Sequence, residues 1–227
     1  MRYELLDTPD FGMVRAGFDQ PGESLVVESG AMVARDSGVQ MKTAMRGGLG
    51  SALKRKVLGG ESFFQSTFTA TAPGQQIYVA PGAEGDILPL ELDGSYGVLL
   101  HSGAFLAAAS TVNLDTQWGG AQGFFSGTGF FLLRCDGVGP LFASAYGGIH
   151  AVDVGPEGYV CDNHHIVGFT QGLRYTVTKV GGLGSFFLGG EGLVCRFEGQ
   201  GRLWMSTRNG RSLAAFLHPY RRVQAKN

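Results

Sequence analysis

Along most of the chain, apolar and polar residues alternate in short runs. Ile77 and Val79, and Tyr175 and Val177, are two apart, and Phe64 and Phe68 in Phe64-Gln65-Ser66-Thr67-Phe68 are four apart, so each run keeps these side chains on one face of a strand. Gly, Pro, Asp or Asn bounds these runs, which predicts half-buried antiparallel strands with one face on a core. Only Leu49 to Leu58 hints at a helix, with Leu49, Leu53 and Val57 four apart between glycines. The longest apolar stretch, Tyr96 to Ser110, is interrupted by His101, Ser102 and Gly103 and is too short to span a bilayer. Short strands at this spacing point to an all-β sandwich or barrel.

The same pattern recurs. Residues 90–120 and 152–182 align without a gap, Leu90 falling on Val152, Leu92 on Val154, Val98 on Val160 and Thr116 on Thr178. Glu28-Ser29-Gly30-Ala31-Met32-Val33-Ala34 matches His101-Ser102-Gly103-Ala104-Phe105-Leu106-Ala107. The chain therefore reads as one structural domain, residues 1–227, of three pseudo-repeated β-units. These cover roughly 22–81, 94–145 and 156–207, with few or no helices and a basic tail over 208–227. A unit of this size buries too little apolar surface to be secure alone, so units must share core or extend each other's sheets. Unpaired edges would invite closure by oligomerisation.

Glycine explains how so many strands fit: 38 of 227 residues, with no three-residue period, sit mostly between the runs where tight turns are needed. A net charge of −1 argues against a nucleic-acid binder, which needs rows of Lys and Arg against phosphates. The balance is uneven, since nothing after Glu198 is acidic while Arg202, Arg208, Arg211, Arg221, Arg222 and Lys226 follow. Such a tail meets an anionic partner or is merely solvated. Three widely spaced cysteines, Cys135, Cys161 and Cys195, indicate neither a disulfide framework nor a zinc knuckle. With no apolar signal segment at Met1–Asp7, the expectation is a cytoplasmic protein.

In order, Gly59-Gly60-Glu61-Ser62-Phe63-Phe64, Ala80-Pro81-Gly82, Gly127-Thr128-Gly129-Phe130-Phe131, Asp136-Gly137-Val138-Gly139, Val160-Cys161-Asp162-Asn163 and Thr207-Arg208-Asn209 resemble the family named for altered inheritance of mitochondria. The likeness covers nearly the whole chain. It implies a fold similar to the Trp RNA-binding attenuation protein, with three such β-units per chain and subunits joined as a homotrimeric ring. That family's pattern names no catalytic residues, so none is carried over.

Candidate chemistry is sparse. Cys161, Asp162, His164 and His165 form the densest group of potential metal ligands, but adjacent histidines on a strand face opposite ways. A turn there would be needed, and a third ligand besides, for which His150 or Asp153 would have to serve. No G-x-S-x-G elbow is present, and Cys135 and Cys195 stand in apolar runs. Glu61 and Glu191 follow matching glycine pairs, where they serve turns better than acid–base chemistry; Gly59, Gly60, Gly127 and Gly190 are the companion turn residues. Trp118 and Trp204 are the indoles on which a base could stack. The loops after the glycine pairs differ most among units. The first carries Lys42, Arg46, Lys54, Arg55 and Lys56, and the others Phe124, Phe125, Phe186 and Phe187. Clustered on one side, they would suit an unknown protein partner or peripheral association with anionic lipid. The expected function is a non-enzymatic oligomeric scaffold or binding protein without a cofactor; the alternatives are a ring binding a small ligand or nucleic acid, and a metal-dependent enzyme.

Overall fold

The computed structural model describes residues 1–44, 65–117, 131–179 and 193–221. The protein is all-β, and its strands fall into three sets with one pairing scheme. The first set comprises β1 (Arg2–Leu6), β2 (Met13–Gly17), β3 (Ser24–Glu28), β4 (Met32–Arg35), β5 (Gln40–Ala44), β6 (Gln65–Thr69) and β7 (Gln76–Val79). The second comprises β8 (Gly85–Asp93), β9 (Val98–His101), β10 (Phe105–Ala109), β11 (Val112–Gln117) and β12 (Leu132–Tyr146). The third comprises β13 (Ile149–Val154), β14 (Tyr159–Asp162), β15 (Ile166–Thr170), β16 (Arg174–Lys179), β17 (Leu193–Glu198) and β18 (Gly201–Ser206). One helix, α1 (Gly210–Leu217), follows.

In each set one antiparallel sheet places a late strand between two earlier ones. These are β3-β6-β5, β9-β12-β11 and β14-β17-β16. A second sheet repeats as β2-β7-β4, β8-β12-β10 and β13-β18-β15. The 15-residue β12 serves both sheets of its set: Leu132–Cys135 pair with β9, and Leu141–Ala143 with β8 and β10. It crosses between them at Gly137 and Gly139, with φ of 113° and 127°. A side chain at Gly137 would meet the Thr111 carbonyl oxygen at 2.5 Å, so only glycine fits both the angle and the space.

Hydrogen bonds join neighbouring sets. β10 lies against β3, Ala107 opposite Val27 and Ala108 opposite Val26. β15 lies against β9 in the corresponding register, Gly168 opposite Leu100 and Phe169 opposite Leu99. Each ladder is extended by one equivalent bond, Ser110 N–H to Ser24 O and Gln171 N–H to Gly97 O, both 3.0 Å. A second contact also recurs, Gly12 N–H to Gly85 O at 2.9 Å and Asp86 N–H to Gly147 O at 3.0 Å. At the third such position the chain's own Thr207 takes over: its Oγ1 accepts from Gly148 N–H at 2.9 Å.

The cores follow these seams. Leu106, Ala107 and Phe142 of the second set pack into the core of the first, while Val26 of the first and Val167 and Trp204 of the third pack into that of the second. Seam position explains why β10 is buried along its whole length and why three alanines, Ala107 to Ala109, stand in it. Backbone approaches them from both sides.

Pairing also corrects the alignment. Leu90 and Val152 are equivalent, since they face the equivalent Leu141 and Leu203. His101, however, corresponds to Asp162, because they face Leu132 and Val194 in their sheets. Val98 therefore matches Tyr159 rather than Val160. The connection from Val154 to Tyr159 is one residue shorter than that from Leu92 to Val98, and a one-residue slip moves every following side chain to the other face. The helix expected over Leu49 to Leu58 lies outside the described residues.

Gly137→Ala should lower stability by about 2–4 kcal/mol, combining a forbidden backbone angle with a clash. Gly199, with φ of 103° but its nearest atom 3.5 Å from a would-be Cβ, should lose only about 1 kcal/mol on the same change. Urea denaturation of both variants checks the difference.

Candidate functional site

Three ionisable residues occupy one equivalent position, the entrance to a tight turn: Glu28, His101 and Asp162. His101 Nδ1 accepts from Gly103 N–H at 3.0 Å, and Asp162 Oδ1 accepts from His164 N–H at 2.8 Å, each capping a 3-10 turn. Burial sets the protonation of two of them. The half-buried Glu28 carboxyl is pushed up to about 7 by desolvation. His101 is pushed down to about 4, chiefly by desolvation and also by the proximity of His164. In both, desolvation disfavours the charged form.

The turn after Asp162 supplies the bend that the adjacent histidines require, yet both rings are engaged elsewhere. His165 Nδ1 lies 2.7 Å from the Ser206 carbonyl oxygen, an acceptor, so this nitrogen carries the proton. Nε2 then accepts from the Asn209 amide at 2.8 Å. Asn209 Oδ1 in turn accepts from Ser212 N–H at 2.8 Å, which makes Asn209 the N-cap of α1. His164 Nδ1 pairs with Asp162 Oδ1 at 3.0 Å, and its Nε2 lies 3.4 Å from the Arg211 guanidinium. The cluster is thus a bracket on which the C-terminal helix is mounted. Among the described residues no three His, Cys, Asp or Glu side chains are grouped to hold a metal ion.

No residue of α1 is buried. Leu213, Phe216 and Leu217 share one face of α1 by the i, i+3, i+4 rule, and Tyr220, in the 3-10 turn His218–Tyr220 that follows, has its ring 6.0 Å from that of Phe216. Phe216, Leu217 and Tyr220 are exposed, with Arg208, Arg211 and Arg221 around them and no acidic residue beyond Glu198. Hydrophobic spacing after the capping Asn209 was the available signal for this helix, which the charge of residues 208–227 alone does not give.

The thiols are quiet. Cys135, Cys161 and Cys195 are buried and unpaired by disulfides, and desolvation raises all three, Cys161 to about 11 and Cys195 to about 12. A cleft of about 590 Å³ lies between the second and third sets, lined by Leu90, Tyr96, Val154, Thr170 and Trp204. On its wall Arg202 grips Asp153 through two bonds, 2.7 and 3.1 Å, so its charge is already matched. Trp204, on the same cleft wall, is only 5% exposed, which leaves little of its ring open to stacking by a base.

Of the surface residues expected from sequence, Lys42 stands exposed on β5. Arg46, Lys54, Arg55, Lys56, Phe124, Phe125, Phe186 and Phe187 lie outside the described residues, as do Trp118 and the turn residues Gly59, Gly60, Glu61, Gly127, Gly190 and Glu191. Among the described residues no helix is long and apolar enough to cross a membrane.

Comparison with known proteins gives a family. The family model described as Mitochondrial biogenesis AIM24 matches residues 3–208. An uncharacterized protein of Streptococcus pyogenes serotype M6 is 28% identical over 228 residues, covering 97% of this chain and 91% of that one. A crystal structure of another Streptococcus pyogenes protein superposes with a TM-score of 0.81 at 26% identity, covering 97% of this chain and 99% of that one.

The bracket and the buried acid generate two expectations. Asn209→Ala removes the cap and the bond to His165, and should loosen α1 by about 1 kcal/mol, read as faster amide exchange over residues 210–217 with β-sheet protection unchanged. For Glu28, the unfolded carboxyl loses its proton near its ordinary 4.5 and the folded one near 7. Its contribution to stability is therefore most favourable below pH 4.5 and declines as pH rises to 7. Glu28→Gln should gain on wild type across that window, by about 1–2 kcal/mol above pH 7 after solvent screening of a half-buried group, and match it below pH 4.5.

Proposed function

The chain belongs to the Mitochondrial biogenesis AIM24 family, and from that footing we propose that it is a non-enzymatic β-rich scaffold that assembles with copies of itself and docks on an anionic membrane surface. One observation carries the docking: α1 exposes Phe216 and Leu217, the turn after it exposes Tyr220, Arg211 and Arg221 are close in sequence, and the His165–Asn209 bracket fastens the start of the helix. A basic amphipathic helix lies in a lipid interface with its apolar face down, and each cation near an anionic leaflet adds attraction on the order of 1 kcal/mol. The absence of catalysis draws support from the protonated thiols and from a histidine pair already bonded to the helix mount.

Vesicle co-sedimentation tests this reading. The protein should bind phosphatidylserine-containing vesicles at low salt and bind pure phosphatidylcholine about tenfold more weakly. Arg211→Glu with Arg221→Glu, or Phe216→Ala with Leu217→Ala, should each reduce binding by about tenfold while the circular dichroism of the β-sheets is retained. Equal binding to both vesicle types, or no loss in either double variant, would remove membrane docking.

A further inference from the structure

The two seams between strand sets use one interface, and its third instance is left open. In the first seam the bulged strand β10 covers β3, and in the second the equivalent β15 covers β9. The corresponding strands that remain are β4 in the first set and β14 in the third. Among the described residues β4 pairs with β7 alone and β14 with β17 alone.

Exposure records the missing cover. Val33 sits in the bulge of β4 and is 56% exposed, whereas its equivalents Leu106 and Val167 are 0% and 2% exposed. Its neighbour Met32 is likewise exposed where Phe105 and Ile166 are buried. On the other side Val160 is 54% exposed, while its equivalent Val26, under β10, is 8% exposed. Bulges and charged residues often protect edge strands from pairing. Here the bulge is no barrier, because the same register shift occurs in β10 and β15, which do pair outward.

We propose that copies of this chain associate head to tail, β4 of one pairing antiparallel with β14 of the next. The two internal seams fix the register: Ala34 opposite Cys161, Arg35 opposite Val160, and Asp36 opposite Tyr159. The partner is a second copy because the complementary edge, with its exposed valine in the matching place, stands at the other end of the same molecule. The contact is heterologous and closes into a ring once the rotation per copy permits. It is confined to the strand ladder, since Thr207 already occupies Gly148 N–H, where the second seam contact would fall. The inference rests on the scaffold reading in taking self-assembly as the working state, and it names the surface.

Differently tagged Arg35→Cys and Val160→Cys chains, mixed and gently oxidised, test it. A disulfide-joined pair of the two tags should form, with about tenfold less product from Val33→Cys mixed with Val160→Cys, which is out of register. Light scattering should show a concentration-dependent oligomer, and Val33→Lys or Val160→Lys should weaken it by about tenfold or more while leaving the fold intact, as both side chains already face solvent. A monomer at all concentrations would overturn both the inference and the assembly part of the scaffold reading. An oligomer unaffected by both lysine variants, or equal cross-linking in and out of register, would overturn the inference and leave that reading standing. A double Arg35→Cys/Val160→Cys chain that cross-links within one monomer would also overturn it. Loss of vesicle binding with cross-linking preserved would remove the docking reading and leave this interface in place.

Discussion

A β-strand has two hydrogen-bonding edges, and an edge left bare in water or in a core must find a partner or be protected. The whole structure follows from how this chain meets that demand. Each strand set has two small sheets that would be marginal alone, and the seam pairings β10 on β3 and β15 on β9 help join four of these six into one 11-stranded sheet, with β1-β2-β7-β4 and β14-β17-β16 left as separate sheets. Packing then follows hydrogen bonding. Side chains on the seam strands reach into the neighbouring core, so Phe142 and Leu106 fill the first set and Trp204 the second. No set has a core built wholly from its own residues.

Much of this was legible because seam geometry recurs in the sequence. Ser29-Gly30 and Ser102-Gly103 mark the tight turn before the bulged strand, and the apolar run behind each marks the strand that will be covered. The all-β class follows from that alternation. What pattern matching missed was register. The connection Gly155–Gly158 has lost one residue relative to Asp93–Gly97, and a strand alternates so simply that Val98 looks as well placed on Val160 as on Tyr159. Only the partner across the sheet distinguishes them. The exposure of Val33 was invisible for a related reason: the sequences of β4 and β10 are alike, and the difference lies in whether a neighbour exists.

The candidate site divides in the same way. Composition told that the C-terminal region is cationic, since charge is additive along a chain. It could not tell that Asn209 would start a helix there, because that cap depends on His165, 44 residues earlier, presenting a bare ring nitrogen to the Asn209 amide. His164 and His165 are conspicuous in sequence as ligands. Three-dimensional placement turns them into a mount, because the carbonyl of Ser206 fixes which nitrogen of His165 keeps its proton.

That mount also locates the helix relative to the open edge. Asp162 ends β14, and the turn that follows carries His164 and His165, so α1 is fastened directly beyond the strand whose outer edge has no partner among the described residues. The proposed assembly edge on β14 and the proposed docking helix are therefore neighbours. Eight helical residues with a few arginines give a weak grip on any surface when alone. Copies joined through β4 and β14 would each contribute one such helix, and linked weak contacts strengthen one another through effective concentration without new chemistry. On this view the triplication and the helix have a common logic: internal seams make the body rigid, and the seam left open sets how many helices act together.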